Sequence, residues 1–177
     1  MIPVIKGNIE TINQALALLD TIDNKAYCHI SAPYINSSIG QHVRHIIDNY
    51  LVIVNGVSQA HINYNIRRRG AAVESCIETA KKELNDIQTW LHTIESNALM
   101  TSVTIFSEVC LEQEQSDHLV SSLHRELIFV ASHCIHHMAL IGVAVKLQNI
   151  ETPKHFGLAP ATATYVRQQE SQGAANS

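Results

Sequence analysis

Histidines are concentrated in two short stretches of this sequence. The chain contains 11 histidines, and five of them are His42, His45, His133, His136 and His137. Neutral imidazole nitrogens are common ligands of zinc, nickel, copper and iron. This clustering indicates a metal site, and the spacing within each stretch limits which histidines can share one ion.

The second stretch has the spacing that places two imidazoles on one face of a helix. His133 and His137 are four residues apart and would lie one turn apart on the same side, whereas His136 is rotated by about 100° from His137. The pair lies within an apolar stripe, where imidazole nitrogens need partners to offset the cost of burial. A metal ion would supply a partner to both, and the alternatives are hydrogen bonds to carbonyl groups or to a water network.

A third ligand is expected from the first stretch, where spacing alone leaves the choice open. On a helical wheel His42 lies about 80° from the apolar stripe and His45 about 140°. This favours His42, although a site at the mouth of a helical bundle need not coincide with the core stripe. Zinc proteases with an H-E-x-x-H motif carry a glutamate after the first histidine as general base. Cys134 occupies that position here, so we exclude that class and assign no catalytic residue.

Four amphipathic segments must position these histidines. Apolar residues recur at helical spacing over residues 8–23, 37–54, 71–94 and 122–148. Residues 101–111 are rich in β-branched side chains and alternate in polarity, which predicts a short strand or hairpin between the third and fourth helices. We therefore predict an all-α protein, a four-helix bundle with a small strand or hairpin addition.

The fourth predicted helix carries three further residues of interest. Glu126 shares a face with His133 but lies two turns away, so it is either a buried acid or a cap near the helix start, and we favour the cap. Ile128 and Ile135 lie on the far side of the helix. Apolar residues on that side need cover, which predicts a homodimer.

The polar segment 58–70 predicts a loop beside the mouth of the bundle. Tyr64, Arg67 and Arg69, followed by Glu74 at the start of the third helix, could bind the carboxylates of an anionic substrate. The alternative, which we favour, is a solvated loop held by salt bridges.

Length and composition fit one globular domain. The chain has 177 residues, 46% hydrophobic and 16% charged, and a net charge of −4, which gives no reason to expect a nucleic acid or an acidic membrane as partner. We assign residues 1–167 to a single helical bundle domain and residues 168–177 to a polar tail that frays. We see no signal-peptide pattern, no apolar run approaching the ~20 residues of a membrane span, and only scattered cysteines. We therefore expect a cytoplasmic protein without membrane or nucleic-acid partners.

Two motifs resemble those of the DinB/YfiT-like superfamily. Residues 38–46 (SIGQHVRHI) resemble the family's second-helix motif, in which a Ser-Ile-Gly-type start precedes the first metal histidine by a fixed interval. Residues 133–137 (HCIHH) resemble its H-x-x-x-H on the last bundle helix, and the resemblance spans roughly residues 8–148. It implies a four-helix bundle, commonly dimeric, with a three-histidine site for a divalent ion such as zinc or nickel. Carried over position by position, the implied ligands are His45, His133 and His137.

The resemblance favours His45 as the ligand, whereas the helical wheel favours His42. It leaves His42 as a group that supports the ligands from outside or as a substitute ligand. Family members with known activity are mostly transferases or isomerases that use low-molecular-weight thiols such as bacillithiol, mycothiol or glutathione. The resemblance therefore implies a metal-dependent thiol S-transferase acting on small molecules, and the alternative is a non-catalytic metal-binding or stress-related protein. Family members often continue with arginine, glycine and glutamine after the last histidine, but residues 138–140 here are Met-Ala-Leu. A coordination position that is open to a cavity would favour the enzyme, and a fourth protein ligand would favour the alternative.

Overall fold

The computed structural model describes residues 1–175, which form a helix-rich fold with one small sheet. Three 3₁₀ turns join the main elements, at Val57–Gln59, Ala72–Glu74 and Ala98–Met100. The helices are α1 (Pro3–Leu19), α2 (Asn24–Cys28), α3 (Ile39–Gly56), α4 (Ile77–His92), α5 (Leu123–Leu147) and α6 (Pro160–Ala175), and the strands are β1 (His61–Asn63), β2 (Ser102–Glu108) and β3 (Ser116–Ser122).

Four long helices enclose the hydrophobic core. Helix α1 packs against α4 and α5, and α3 packs against the same two helices from the other side. The predicted stripe of α4 is confirmed, because the buried residues of this helix recur at helical spacing. They are Ile77, Ala80, Leu84, Ile87 and Leu91.

The start of α3 is fixed by a capping box. The Ser38 hydroxyl accepts the Gln41 backbone N–H at 3.1 Å, and the Gln41 side-chain oxygen accepts the Ser38 backbone N–H at 2.9 Å. These reciprocal hydrogen bonds satisfy two backbone donors that a helix end otherwise leaves without partners. They also set where His42 and His45 lie along the first turns of the helix.

The predicted hairpin is present and belongs to a three-stranded sheet. Strands β2 and β3 pair antiparallel, with Ser102 opposite Ser122. Strand β1 adds to β2 in parallel, with Ile62 opposite Ile105, and it lies in the segment predicted as a loop. The end of β3 leads directly into α5, whose N-cap is Ser122, so the sheet orients the helix that carries His133.

Helices α1, α4 and α6 differ from the sequence prediction. Helix α4 begins at Ile77, six residues later than predicted, because a 3₁₀ turn at Ala72–Glu74 precedes it. Helix α1 begins at Pro3, five residues earlier than predicted, because proline suits the first turn of a helix. Helix α6 was not predicted, and it runs through residue 167, where we expected the tail to begin. It contains several strong helix formers, among them Ala161, Arg167 and Glu170. Its apolar residues form only a weak stripe, which is why periodicity missed it. Residues 176 and 177 of the expected tail lie outside the described residues.

Helix α5 is long and apolar enough to cross a membrane by length and composition alone. We expected no apolar run that approaches the length of a membrane span. Core helices of soluble proteins meet the same criterion, and α5 packs against α1 and α3.

Gly40, in the first turn of α3, allows a close approach that a side chain would block. A Cβ atom there would overlap the Glu74 carbonyl and lie 2.8 Å from the Tyr27 ring. We expect Gly40→Ala to lower the free energy of unfolding by about 1–3 kcal/mol, because the backbone must shift to admit the methyl group.

Gly7→Ala is the matched control, since Gly7 also lies in a helix and a Cβ there would meet no atom within 4 Å. This variant should be more stable than the wild type by about 0.5–1 kcal/mol. Urea unfolding followed by circular dichroism measures both. Equal effects of the two substitutions would contradict the close approach at Gly40.

Candidate metal centre

Three histidines from two helices converge on one point. The Nε2 atom of His133 lies 2.9 Å from the Nε2 of His45 and 3.1 Å from the Nε2 of His137. The ligand atoms of all three residues, which we call the histidine triad, lie within 4.8 Å of one another. A tetrahedral zinc ion with Zn–N bonds of about 2.0–2.1 Å would separate its nitrogen ligands by about 3.3 Å. The triad therefore has nearly the spacing that a single ion requires.

The donor set of the triad also fits a cation better than it fits hydrogen bonds. An imidazole nitrogen either donates one N–H or accepts at one lone pair. His133 Nε2 has two other Nε2 atoms within 3.1 Å, and it cannot form a good hydrogen bond to each. A cation that accepts a lone pair from each nitrogen would satisfy all three.

The three triad imidazoles are half-buried, and their surroundings favour the neutral form. Burial lowers the pKa of His45 to about 4, with the nearby Arg67 and His133 as further causes. Burial and the neighbouring histidines lower the pKa of His137 to about 3, and burial followed by His136 and Arg67 lowers the pKa of His133. Neutral imidazoles have free lone pairs, which is the state in which histidine binds a metal.

The histidine pair of α5 lies at the edge of the buried face of that helix rather than at its centre. The sequence predicted that His133 and His137 would point into the core, but the fully buried line passes through Cys134 and Met138. The burial of Met138 explains why a polar residue does not follow His137, as it often does in the family that the motifs resemble. The edge position leaves the triad beside a cavity.

A polar cavity of about 390 Å³, which we call the site cavity, opens next to the triad. Two triad members, His45 and His137, line it. The remaining lining residues are mostly polar or charged, namely Asn36, Ser37, Gln41, His42, Arg44, Arg69, Gly70 and Glu74. A small polar molecule could therefore reach the triad.

His42 lies beside the triad and is not part of it. Its Nδ1 lies 3.1 Å from the Nδ1 of His137, which is not the nitrogen through which His137 joins the triad. Its own Nε2 is buried and has no hydrogen-bond partner among the described residues. The structure thus brings His45 to the pair on α5, as the resemblance implied, and places His42 where it could support His137. Metal binding by the triad stays a prediction.

Glu126 is a buried acid and not the helix cap that we favoured. It is fully buried and accepts hydrogen bonds from Tyr64 at 2.7 Å, from Arg125 at 2.9 Å and from Ser121. Ser122 caps the helix instead, by accepting the Arg125 backbone N–H. Glu126 lies four residues C-terminal to that cap. Three polar groups satisfy its carboxylate, as a buried charge requires.

An aromatic contact connects the buried Glu126 to the triad. The Tyr64 ring, whose hydroxyl binds Glu126, meets Phe129 edge-on at 5.4 Å, and Phe129 stacks on His133 at 5.7 Å. Tyr64 is therefore part of the core. One interpretation of the loop had Tyr64 bind a substrate anion, and its burial contradicts that interpretation. Phe129 restricts the orientation of the His133 ring.

A network of partly buried ion pairs, whose members the sequence analysis did not identify, anchors the loop between β1 and α4. Asp48 on α3 accepts from Arg44 at 2.7 Å and from Arg68 at 2.6 Å. Arg44 also pairs with Glu74 at 2.6 Å, and Arg68 with Glu83 on α4 at 2.7 Å. These residues are far apart in sequence, so their pairing depends on the tertiary fold. Salt bridges of Arg68 therefore hold the loop. In the described part of the chain, Arg67 and Arg69 are not members of this network.

A comparison with solved structures supports this architecture. No family model matches the sequence. The chain is 32% identical over 111 residues to FK506-binding protein 5 of Rhizopus delemar, a match that covers 61% of this chain but only 28% of that protein. The chain therefore spans less than a third of that relative. The crystal structure of a DinB-like protein from Bacillus subtilis aligns with 87% of this chain and 98% of its own, with a TM-score of 0.59 and 16% identity.

The chain has the fold of a DinB-like protein. The resemblance suggested by the two histidine motifs is thus confirmed at the level of fold. At 16% identity, this likeness does not transfer an activity.

Asp48→Asn tests the ion-pair network. Burial alone would raise the pKa of Asp48, but hydrogen bonds from the Arg68 backbone, the Arg68 side chain and Arg44 outweigh it and hold that pKa below its usual value. We expect the substitution to reduce stability at pH 7 by about 2 kcal/mol, since each arginine keeps a second carboxylate.

The stabilisation should depend on pH with a definite sign. A carboxyl whose pKa is lowered by folding contributes stability above its unfolded pKa of about 3.9, and the contribution is lost as the pH falls through the lower folded value. The gap in stability between wild type and Asp48→Asn should therefore narrow below about pH 4. Asp86→Asn, which removes an exposed pair with Lys82, is the control and should have little effect. Urea unfolding at a series of pH values measures these differences. A difference in stability between wild type and Asp48→Asn that stays constant down to pH 2 would contradict the role of Asp48.

Proposed function

We propose that this chain is a metal-dependent enzyme that acts on small molecules, with a divalent ion held by His45, His133 and His137. The observation that carries the proposal is the convergence of three Nε2 atoms beside a polar cavity. Zinc and nickel are the ions that we propose, because both suit imidazole ligands.

The proposed reaction is thiol S-transfer to a small electrophile. When bound, an ion with three histidine ligands and an open position supplies a Lewis acid that lowers the pKa of a coordinated thiol. The residues of the chain bind and orient the reactants. Gln41 and Ser37 provide hydrogen-bonding groups at the wall of the site cavity, and Arg69 provides a positive charge.

Charge balance supports an anionic substrate. Three neutral imidazoles would leave the charge of a divalent ion uncompensated. Glu74 is the acidic residue that lines the site cavity, and it already pairs with Arg44. Among residues 1–175, Arg67 and Arg69 form no ion pair with a carboxylate, and Arg67 is half-buried. We therefore propose substrates with a carboxylate, such as carboxylate-bearing thiols.

The alternative is a non-catalytic metal-binding or stress-related protein, in which a fourth protein ligand closes the site. His42 was the candidate for that ligand, but its nearest triad contact is with the Nδ1 of His137. This placement supports the enzyme over the alternative.

The proposal also covers architecture and cellular context. We propose that α1, α3, α4 and α5 form the four-helix bundle of the DinB/YfiT-like superfamily and that the protein is a cytoplasmic homodimer. The four cysteines are free thiols, which supports a reducing compartment. Ile128 on α5 is 55% exposed, which supports cover by a second copy, whereas Ile135 packs partly against the core.

Elemental analysis of tag-free protein tests the metal site. We expect about one zinc or nickel ion per chain in the wild type, because a triad binds one ion, and loss of that ion in His137→Ala. His136→Ala is the matched control, since His136 is exposed and has no place in the triad, and it should keep its metal. A wild type that takes up neither zinc nor nickel when they are added would refute the proposal.

Cobalt-substituted protein tests the proposed substrate class. We expect both 2-mercaptoethanol and mercaptoacetate to change the visible absorption of the cobalt, with mercaptoacetate bound more tightly. Arg69→Gln should weaken mercaptoacetate binding by about tenfold, the effect of losing one charge-assisted hydrogen bond, and leave 2-mercaptoethanol unchanged. Arg167→Gln on α6 is the control. Equal binding of the two thiols to the wild type would contradict the anionic preference, and no spectral change with either thiol would contradict the thiol chemistry.

A further inference from the structure

His42 makes a contact that the proposed metal site does not use. It lies one turn before His45 on α3, and its Nδ1 approaches the Nδ1 of His137 to 3.1 Å. The two rings are 5.3 Å apart and tilted by 45°. Two nitrogens at this distance form a hydrogen bond only if one carries a proton and the other has a free lone pair.

Metal binding would decide which of these two nitrogens carries the proton. A neutral imidazole has one N–H, and a ring that gives its Nε2 lone pair to an ion carries that proton on Nδ1. His137 would therefore be the donor and His42 the acceptor. His42, also neutral, would then hold its own proton on Nε2. The proton positions of both rings follow from the Nε2 convergence of the triad.

We propose that His42 is a positioning residue for the metal centre, whose Nδ1 accepts the Nδ1–H of His137 and so fixes the tautomer and the ring orientation of that ligand. This inference rests on the proposed function, because it requires an ion on the triad. Metal-bound histidines usually donate this second N–H to a carboxylate, a backbone carbonyl or water. Here a neutral imidazole takes that place.

A neutral acceptor has a consequence for the charge of the site. A carboxylate behind His137 would add a negative charge close to the ion, whereas His42 supplies an acceptor without one. The arrangement keeps the centre positive toward the site cavity, which His42 also lines. It also leaves the buried Nε2–H of His42 without a partner in the described part of the chain.

Zinc affinity, measured by competition with a chromophoric chelator, tests this role through a readout other than activity. We expect His42→Leu to bind one zinc per chain with about 10–100-fold lower affinity, the usual effect of losing such a partner. His42→Asn should restore affinity close to that of the wild type, because the asparagine oxygen can accept near the position of Nδ1. His136→Leu, which changes an exposed histidine next to the same ligand, should bind zinc as the wild type does.

Each outcome bears on a different proposal. A wild type that binds no zinc would refute the metal site itself, and the role of His42 with it. A wild type that binds zinc, with His42→Leu of equal affinity, would refute only the role of His42. Loss of affinity in His42→Asn equal to that in His42→Leu would refute the acceptor role specifically.

A second measurement uses the wild type alone, so it does not depend on whether a variant folds. Long-range proton–nitrogen correlation spectra of the zinc-loaded protein should show the proton of His137 on Nδ1 and that of His42 on Nε2. A proton on Nδ1 of His42 would overturn the proposal. A metal-bound chemical shift for either nitrogen of His42 would also overturn it, by making His42 a fourth ligand.

Discussion

The site depends on the packing of α3 against α5, which brings His45 to His133 and His137. The Nε2 atom of His133 lies within 3.1 Å of each of the other two Nε2 atoms, an arrangement that hydrogen bonds between neutral imidazoles satisfy poorly. The two helices pack against each other, and Cys134 and Met138 of α5 and Ile46 and Ile53 of α3 are all buried in the same hydrophobic core. The core thus sets the distance between the helices, and the triad lies at its edge, where that distance allows three nitrogens to share one point.

The same helix α3 organises the wall of the site cavity. Gly40 allows the Glu74 carbonyl to approach the first turn of α3, and the Glu74 side chain pairs with Arg44 one turn further on. Asp48, a further turn along, holds Arg68 of the loop. Successive turns of α3 therefore supply the close backbone contact at Gly40, the proposed metal ligand His45 and the buried carboxylate of Asp48. The loop that carries Arg67 and Arg69 is placed by the element that carries His45.

Much of this arrangement could be predicted from the sequence, because it depends on local spacing. The i, i+4 relation of His133 and His137 and the apolar period of α4 depend only on helix geometry. The choice between His42 and His45 could not be made in that way. The helical wheel measures the angle of each residue from the core stripe, and the triad lies at the edge of the core, where that angle does not identify a ligand.

Features that depend on residues far apart in sequence were missed for a physical reason. Strand β1 has three residues, and it exists because it pairs with β2 some forty positions later, not because its own sequence alternates. The ion pairs of Asp48 and Arg68 likewise join segments whose proximity follows from the fold.

Composition was a poor guide to the site for the same reason. The chain as a whole carries a net charge of −4. Glu74, the acidic residue that lines the site cavity, is paired with Arg44, and Asp48 on α3 is bound to two arginines. A local charge balance of this kind, and not the net charge of the protein, determines which ligands the site cavity can accept.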